Sequence, residues 1–263
     1  MTTTQTMRRT VLLFAAIVLA LVVFSGVALA VTKSCEANVD CFGTRKADTL
    51  NGSDGNDRIY GKGRGDTLNG FGSADELSGQ GGADKLFGGS EEDNLIGGPG
   101  NDVLGGGEGI DQYFFALGWG KDSITESTPS SNTVVFRSPK GSSVPFSDDL
   151  IIKLIPSGGP EVTNTSGTST INWDGNAINK VHAGEGDDQI TGNLSDNFIF
   201  AKSGGADTIS TGVGDDEIHV DDGFDDDVVD CGENLIPVTD SDTVYHDSGD
   251  TIDPNCEEQY PGG

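Results

Sequence analysis

An aspartate returns at every ninth residue through the first half of the chain: Asp48, Asp57, Asp66, Asp75, Asp84, Asp93, Asp102 and Asp111. The frame around it is fixed over residues 43–114, which divide into eight nine-residue units with no slip in register. Position 1 is always Gly (Gly43, Gly52, Gly61, Gly70, Gly79, Gly88, Gly97, Gly106) and position 6 is the Asp. Position 8 is always large and apolar: Leu50, Ile59, Leu68, Leu77, Leu86, Leu95, Leu104 and Tyr113. If a fold stacks such carboxylates roughly 5 Å apart, each like-charge pair costs about 3 kcal/mol at an effective dielectric of ~20. A column of them therefore calls for a counter-ion. Carboxylates supplemented by turn carbonyls suit Ca²⁺, with its flexible shell of roughly six to eight oxygens, better than Mg²⁺. No His or Cys lies within 43–114, which disfavours zinc and other borderline metals. The competing reading is a metal-free, disordered Gly/Asp-rich tract, and the fixed apolar position 8 argues against it.

The elements that must position these residues follow from the same spacing. The last three residues of a unit (T-L-N, R-I-Y, E-L-S) are too few for a helix but enough for a short strand, whose side chains alternate faces. Position 8 then points inward and positions 7 and 9 outward. The six residues before it are turn chemistry, where Gly supplies positive φ and Asn or Asp tolerates the left-handed region. Two units make one coil, so unit n stacks on unit n+2 at the strand spacing of ~4.8 Å. One core wall becomes Leu50, Leu68, Leu86, Leu104, and the other Ile59, Leu77, Leu95, Tyr113. The carboxylates collect on two edges: Asp48, Asp66, Asp84, Asp102 on the odd edge and Asp57, Asp75, Asp93, Asp111 on the even edge.

The units resemble the RTX nonapeptide G-G-x-G-x-D-x-U-x, a calcium-binding parallel β-roll pattern. A degenerate form returns at 183–230 as AGEGDDQIT, GNLSDNFIF, KSGGADTIS, TGVGDDEIH and DGFDDDVVD. There position 8 is Ile190, Ile199, Ile209, Ile218 and Val229, and position 6 is Asp188, Asn197, Asp207, Asp216 and Asp227. Asn197 removes a charge and two insertions interrupt the phase, so weaker or fewer sites are expected in this block. Including Cys41-Phe42-Gly43-Thr44 at the entry and Asp230-Cys231-Gly232 and Cys256-Glu257 at the exit, residues 31–263 resemble secreted bacterial RTX-type calcium-binding proteins. The resemblance implies Ca²⁺ ligation by Asp48, Asp57, Asp66, Asp75, Asp84, Asp93, Asp102, Asp111, Asp188, Asp207, Asp216 and Asp227, together with loop carbonyls. The chain departs from the secreted RTX toxins and proteases in carrying an N-terminal export signal and no catalytic or pore-forming domain.

The expected fold is all-β: a parallel β-roll solenoid, an intervening antiparallel β module, and a second degenerate β-roll with disulfide caps. Its divisions are a signal peptide at 1–30, a disulfide N-cap at 31–42, the first roll at 43–114, the β module at 115–182, the second roll at 183–230 and a C-terminal cap at 231–263. In the module, strand-like runs at 132–136, 150–155, 162–163 and 169–173 lie among five prolines, an antiparallel signature. The segment Asp111-Gln112-Tyr113-Phe114-Phe115…Gly118-Trp119-Gly120-Lys121-Asp122-Ser123-Ile124 resembles one that closes RTX rolls, with Phe115 and Trp119 covering the open end of the core. Asp242-Thr243-Val244 and Asp250-Thr251-Ile252 read as two further strands.

Composition bounds the partners. The chain has 15 basic and 43 acidic residues and a formal charge of −28; without residues 1–30 the charge is −30. Such acidity excludes nucleic acid and anionic membrane surfaces as partners of the body. Arg8-Arg9, the apolar run 11–24 and Ala28-Leu29-Ala30 form a signal-peptide pattern with cleavage after Ala30, although 11–30 is also long enough to serve as an anchor. With cleavage the mature chain has no membrane segment and is extracellular. Four cysteines in an exported chain suggest disulfides. Of three possible pairings, Cys35–Cys41 with Cys231–Cys256 is favoured, since cross-pairing would join opposite ends of a solenoid.

Catalytic motifs such as H-E-x-x-H, G-x-S-x-G and the P-loop do not occur, and the three histidines, His182, His219 and His246, are scattered, although His219 and His246 could approach each other. The chain therefore reads as a non-catalytic, secreted calcium-binding protein with a structural or surface role, its folding driven by Ca²⁺. The alternatives are a calcium-dependent adhesin for extracellular polysaccharide or a cell surface, acting through 115–182, and a non-catalytic part of a polysaccharide-active enzyme system. Within the first roll, Gly at positions 2 and 4 concentrates in the last units, so the pairs Asp84/Asp102 and Asp93/Asp111 should bind most tightly. Lys46, Arg64, Ser73 and Glu91 put a side chain at position 4, where the turn demands left-handed backbone.

Overall fold

The computed structural model describes residues 30–116, 118–126, 131–137, 178–202, 204–223, 227–232 and 241–261. It also describes the backbone of the strands Leu150–Lys153, Val162–Asn164 and Thr170–Trp173. The expected leader, apart from Ala30, lies outside the described residues. Among the described residues every regular element is a strand, as units of nine residues with a three-residue apolar-centred tail dictate.

Successive units alternate between two sheets. The odd sheet starts with Thr32–Ser34, Thr49–Asn51 and Thr67–Phe71, and the even sheet with Asp40–Phe42, Arg58–Gly63 and Glu76–Gly81. The register is the one the period demands, parallel and in phase: Leu50↔Leu68↔Leu86↔Leu104 in one wall and Ile59↔Leu77↔Leu95↔Tyr113 in the other. All eight position-8 side chains are fully buried. Burying one such side chain is worth roughly 1.5–3 kcal/mol, and here that gain recurs with every strand.

The architecture differs from two rolls separated by an antiparallel module. Both sheets run unbroken from the first repeats to the last, with 13 strands in one and 11 in the other among the described residues. In the even sheet, Gln112–Phe115 pairs parallel with Asn132–Phe136, which pairs parallel with Ile178–His182 and so passes directly into the second block. Among the described residues antiparallel pairing is confined to the odd sheet, where Val162–Asn164 lies between Thr170–Trp173 and Leu150–Lys153. That excursion is still spliced into the stack, since Lys121–Ile124 pairs parallel with Thr170–Trp173 and Leu150–Lys153 with Gln189–Thr191. The physical reason is that the strand edge left open by each coil accepts another strand of matching length, so a change of strand direction does not end the sheet.

Continuity also changes the role of the aromatic residues. Phe115 and Trp119 are buried at 2% and 1% exposure and cluster with Phe136, at centroid separations of 5.7–6.3 Å. They fill the interior of a stack that continues rather than covering an open end. The true ends carry the disulfides Cys35–Cys41 and Cys231–Cys256, the local pairing. The two strands expected near the C-terminus are Thr243–His246 and Thr251–Ile252.

Candidate metal-binding edges

The turn of each unit is shaped around its own aspartate. The Asp side chain folds back over the position-1 glycine, so that a Cβ on Gly70, Gly88 or Gly106 would overlap Oδ2 of Asp75, Asp93 or Asp111. Position 1 is thus glycine for close approach rather than for positive φ. Positive φ occurs instead at positions 2 and 4: Gly89, Gly98, Gly107, Gly82 and Gly109, and also the strained Lys62, Arg64, Phe71, Ser73, Gln80 and Glu91. Of the four position-4 side chains expected to be left-handed, Arg64, Ser73 and Glu91 are; Lys46 is not among the positive-φ residues.

Stacking then builds a ladder. The backbone N–H of each column aspartate donates to Oδ1 of the aspartate one coil downstream, in Asp48→Asp66, Asp66→Asp84 and Asp84→Asp102 at 2.7–2.8 Å. On the even edge Asp57→Asp75, Asp75→Asp93 and Asp93→Asp111 repeat it at 2.7–2.9 Å. The second block repeats it with Asp188→Asp207 and Asp207→Asp227 at 2.8 Å and, on the even edge, Asn197→Asp216 at 2.7 Å. All twelve sequence-predicted aspartates lie in these columns, none more than 3% exposed.

The second carboxylate oxygen decides what the edges can do. Oδ2 of Asp66, Asp75, Asp84, Asp93, Asp102, Asp111 and Asp207 is buried and lacks a hydrogen-bond partner. A buried carboxylate oxygen left unpaired is costly. Burial raises these carboxyls: Asp66 and Asp75 to about 6, Asp102 to about 7, Asp93 and Asp207 to about 8. The ladder N–H opposes the rise and neighbouring column aspartates add to it. Where position 2 carries a hydroxyl the oxygen is satisfied locally. Asp48 Oδ2 accepts from the Thr44 N–H at 2.5 Å and hydroxyl at 2.8 Å, and Asp57 Oδ2 from the Ser53 N–H at 2.6 Å and hydroxyl at 3.0 Å. Asp48 Oδ1 also accepts the Val31 N–H, so the first unit has both oxygens satisfied and less need of a cation, whereas Asp57 keeps a buried Oδ1 without a partner.

No three His, Cys, Asp or Glu side chains converge on one point among the described residues, so a cation here takes one carboxylate per loop and must draw its other donors from the backbone. The turns supply carbonyls: those of Arg64, Gly82 and Glu91 occupy the space that a Cβ would take on the position-4 glycines Gly82, Gly100 and Gly109 one coil on. Orphaned buried carboxylate oxygens beside carbonyl columns fit a hard, oxygen-seeking cation such as Ca²⁺.

The structure adds residues that the nine-residue period does not mark. Asp122, Asn132, Asp242, Asp250 and Glu257 each accept the ladder N–H of the preceding column residue, namely Asp102, Asp111, Asp216, Asp227 and Asp242. Their offsets of 20, 21, 26, 23 and 15 residues hide them from an 18-residue phase. The surviving signal, for all but Glu257, is the triplet of an acid or amide with an apolar residue two places on: Asp122/Ile124, Asn132/Val134, Asp242/Val244, Asp250/Ile252. His219 and His246 take separate partners instead of forming a pair. His219 stacks on Tyr245 at 4.3 Å and bonds Glu217 at 2.8 Å, whereas His246 bonds the Asp247 carbonyl.

Among known families, the model of the RTX calcium-binding nonapeptide repeat (four copies) matches residues 42–68, 52–86, 78–113, 173–205 and 203–227. No curated protein matches the chain.

Proposed function

Because the chain is an RTX-type calcium-binding repeat protein, we propose that it is a secreted, non-catalytic structural protein whose folding is governed by external Ca²⁺. The observation that carries this reading is the column of buried Oδ2 atoms without a partner, from Asp66 to Asp111. Asp66, Asp84 and Asp102 on the odd edge and Asp75, Asp93 and Asp111 on the even edge would hold the ions, assisted by turn carbonyls. Bound Ca²⁺ would supply positive charge that lets the stacked carboxylates stay ionised inside the fold. Binding would then be folding free energy, as for other sites absent from the unfolded chain. Two disulfides and no free cysteine among the described residues support an oxidising, extracellular location.

The test is a Ca²⁺ titration of the exported protein followed by circular dichroism and calorimetry. In chelator at pH 8 the β signal should be absent and should return cooperatively with Ca²⁺, with Mg²⁺ a poor substitute. An unchanged β spectrum in chelator would refute the proposal.

A further inference from the structure

The loop Gly118–Asp122 lies outside the matched repeats, between the segments 78–113 and 173–205, and lacks the unbroken nine-residue phase. It nevertheless stacks on the loop before it as that loop stacks on its own predecessor. Between the turns at 79–84 and 97–102, the Gly82 N–H donates to the Pro99 carbonyl at 3.1 Å, the Asp84 N–H to Asp102 Oδ1 at 2.8 Å and the Val103 N–H to the Asp84 carbonyl at 2.9 Å. One coil on, the Gly100 N–H donates to the Trp119 carbonyl at 3.1 Å, the Asp102 N–H to Asp122 Oδ1 at 2.9 Å and the Ser123 N–H to the Asp102 carbonyl at 2.8 Å. Gly120 takes φ of +95°, and the Gly100 carbonyl fills the place of its missing Cβ, as the Gly82 carbonyl fills that of Gly100. Asp122 is 1% exposed, and its Oδ2, like that of Asp102, is buried without a hydrogen-bond partner.

We infer that Asp102 and Asp122, with the turn carbonyls between their loops, form a further calcium site outside the recognised repeats. The inference rests on the calcium reading above and extends it to a loop of different composition. Its chemistry has a second consequence. The position-3 residue of this loop is Trp119, whose buried indole packs on Phe115 and Phe136. A cation here fixes the backbone on both sides of the indole. It thereby couples the metal column to the aromatic interior at the point where the unbroken nine-residue phase ends.

Trp119 makes the site readable. The exported protein carrying Trp173→Phe has Trp119 as its one tryptophan and is titrated with Ca²⁺, with Asp122→Asn and Asp66→Asn compared in that background. Asn preserves the Oδ1 acceptor for the Asp102 N–H, so Asp122→Asn keeps the ladder. The expected result is one fewer Ca²⁺ per chain in both variants, with the Trp119 fluorescence transition moved to at least about tenfold higher Ca²⁺ only in Asp122→Asn. Terbium(III), a luminescent stand-in for Ca²⁺, gives a readout that does not depend on Asp122→Asn folding. Indole excitation of the Trp173→Phe protein should give sensitised emission that is lost in Trp119→Phe/Trp173→Phe. Equal ion counts and equal Trp119 transitions in Asp122→Asn and its parent would overturn the site, as would absence of sensitised emission. Failure of the parent to bind any Ca²⁺ would instead overturn the calcium reading on which the site depends.

Discussion

Asp48 and Asp102 occupy the same column and meet different neighbours. Thr44 satisfies Oδ2 of Asp48, whereas Oδ2 of Asp102 is buried and unpaired. Asp102→Ala should therefore weaken Ca²⁺ binding by about tenfold or more, and Asp48→Ala by only a few-fold. Calorimetric titration of the two variants decides it, and equal losses would remove the ranking. The same turn geometry makes position 1 intolerant of any side chain. In Gly88→Ala the new Cβ meets both Asp93 Oδ2 and the Gly106 carbonyl at 2.7 Å or less. Since backbone and a packed column must both move, the cost should exceed about 3 kcal/mol, read as a lowered urea midpoint at saturating Ca²⁺.

A single strand contributes an inward side chain, an outward pair and one rung on an edge. Removing the inward group at Leu86, fully buried between Leu68 and Leu104, should cost about 2–5 kcal/mol in Leu86→Ala, measured by denaturant unfolding with Ca²⁺ present. The walls are legible in the sequence because position 8 recurs without exception in residues 43–114. So are the twelve column aspartates. Two things are not. Strand pairing across 115–182 is marked only by prolines and short apolar runs, which show where a chain turns but not which edge it rejoins. Asp122, Asp242 and Asp250 escape because a coil's loop can lengthen by two to eight residues while its rung stays in place. Periodicity detects constant spacing, whereas the fold conserves only the stacked triplet. The position-1 glycines are legible as invariant but suggest the wrong cause, since overlap with a side chain five residues away leaves no local signature.

Over the whole molecule, the charge of −28 and the raised column carboxyls give a pH dependence whose sign reverses with metal. Without Ca²⁺, carboxyls raised from 3.8 to between about 6 and about 8 bind protons more tightly folded than unfolded. The metal-free fold is then most stable below the ordinary carboxylate range and loses stability as pH rises through about 8. Acid should thus partly replace calcium: in chelator, the β signal should be larger near pH 5 than at pH 8, and a flat or opposite profile would contradict the burial of these groups. With Ca²⁺ present, protons compete for the same oxygens, so calcium affinity should rise across that window. The ladder has one more consequence. In the first block each rung joins residues 18 to 21 apart, so adding a coil always closes a loop of nearly the same length. The entropic cost per step is therefore constant along the stack. Such a chain should fold as a crystal grows, slowly to a first nucleus and then by accretion. Its length then sets how much is gained, without setting how hard each next coil is to add.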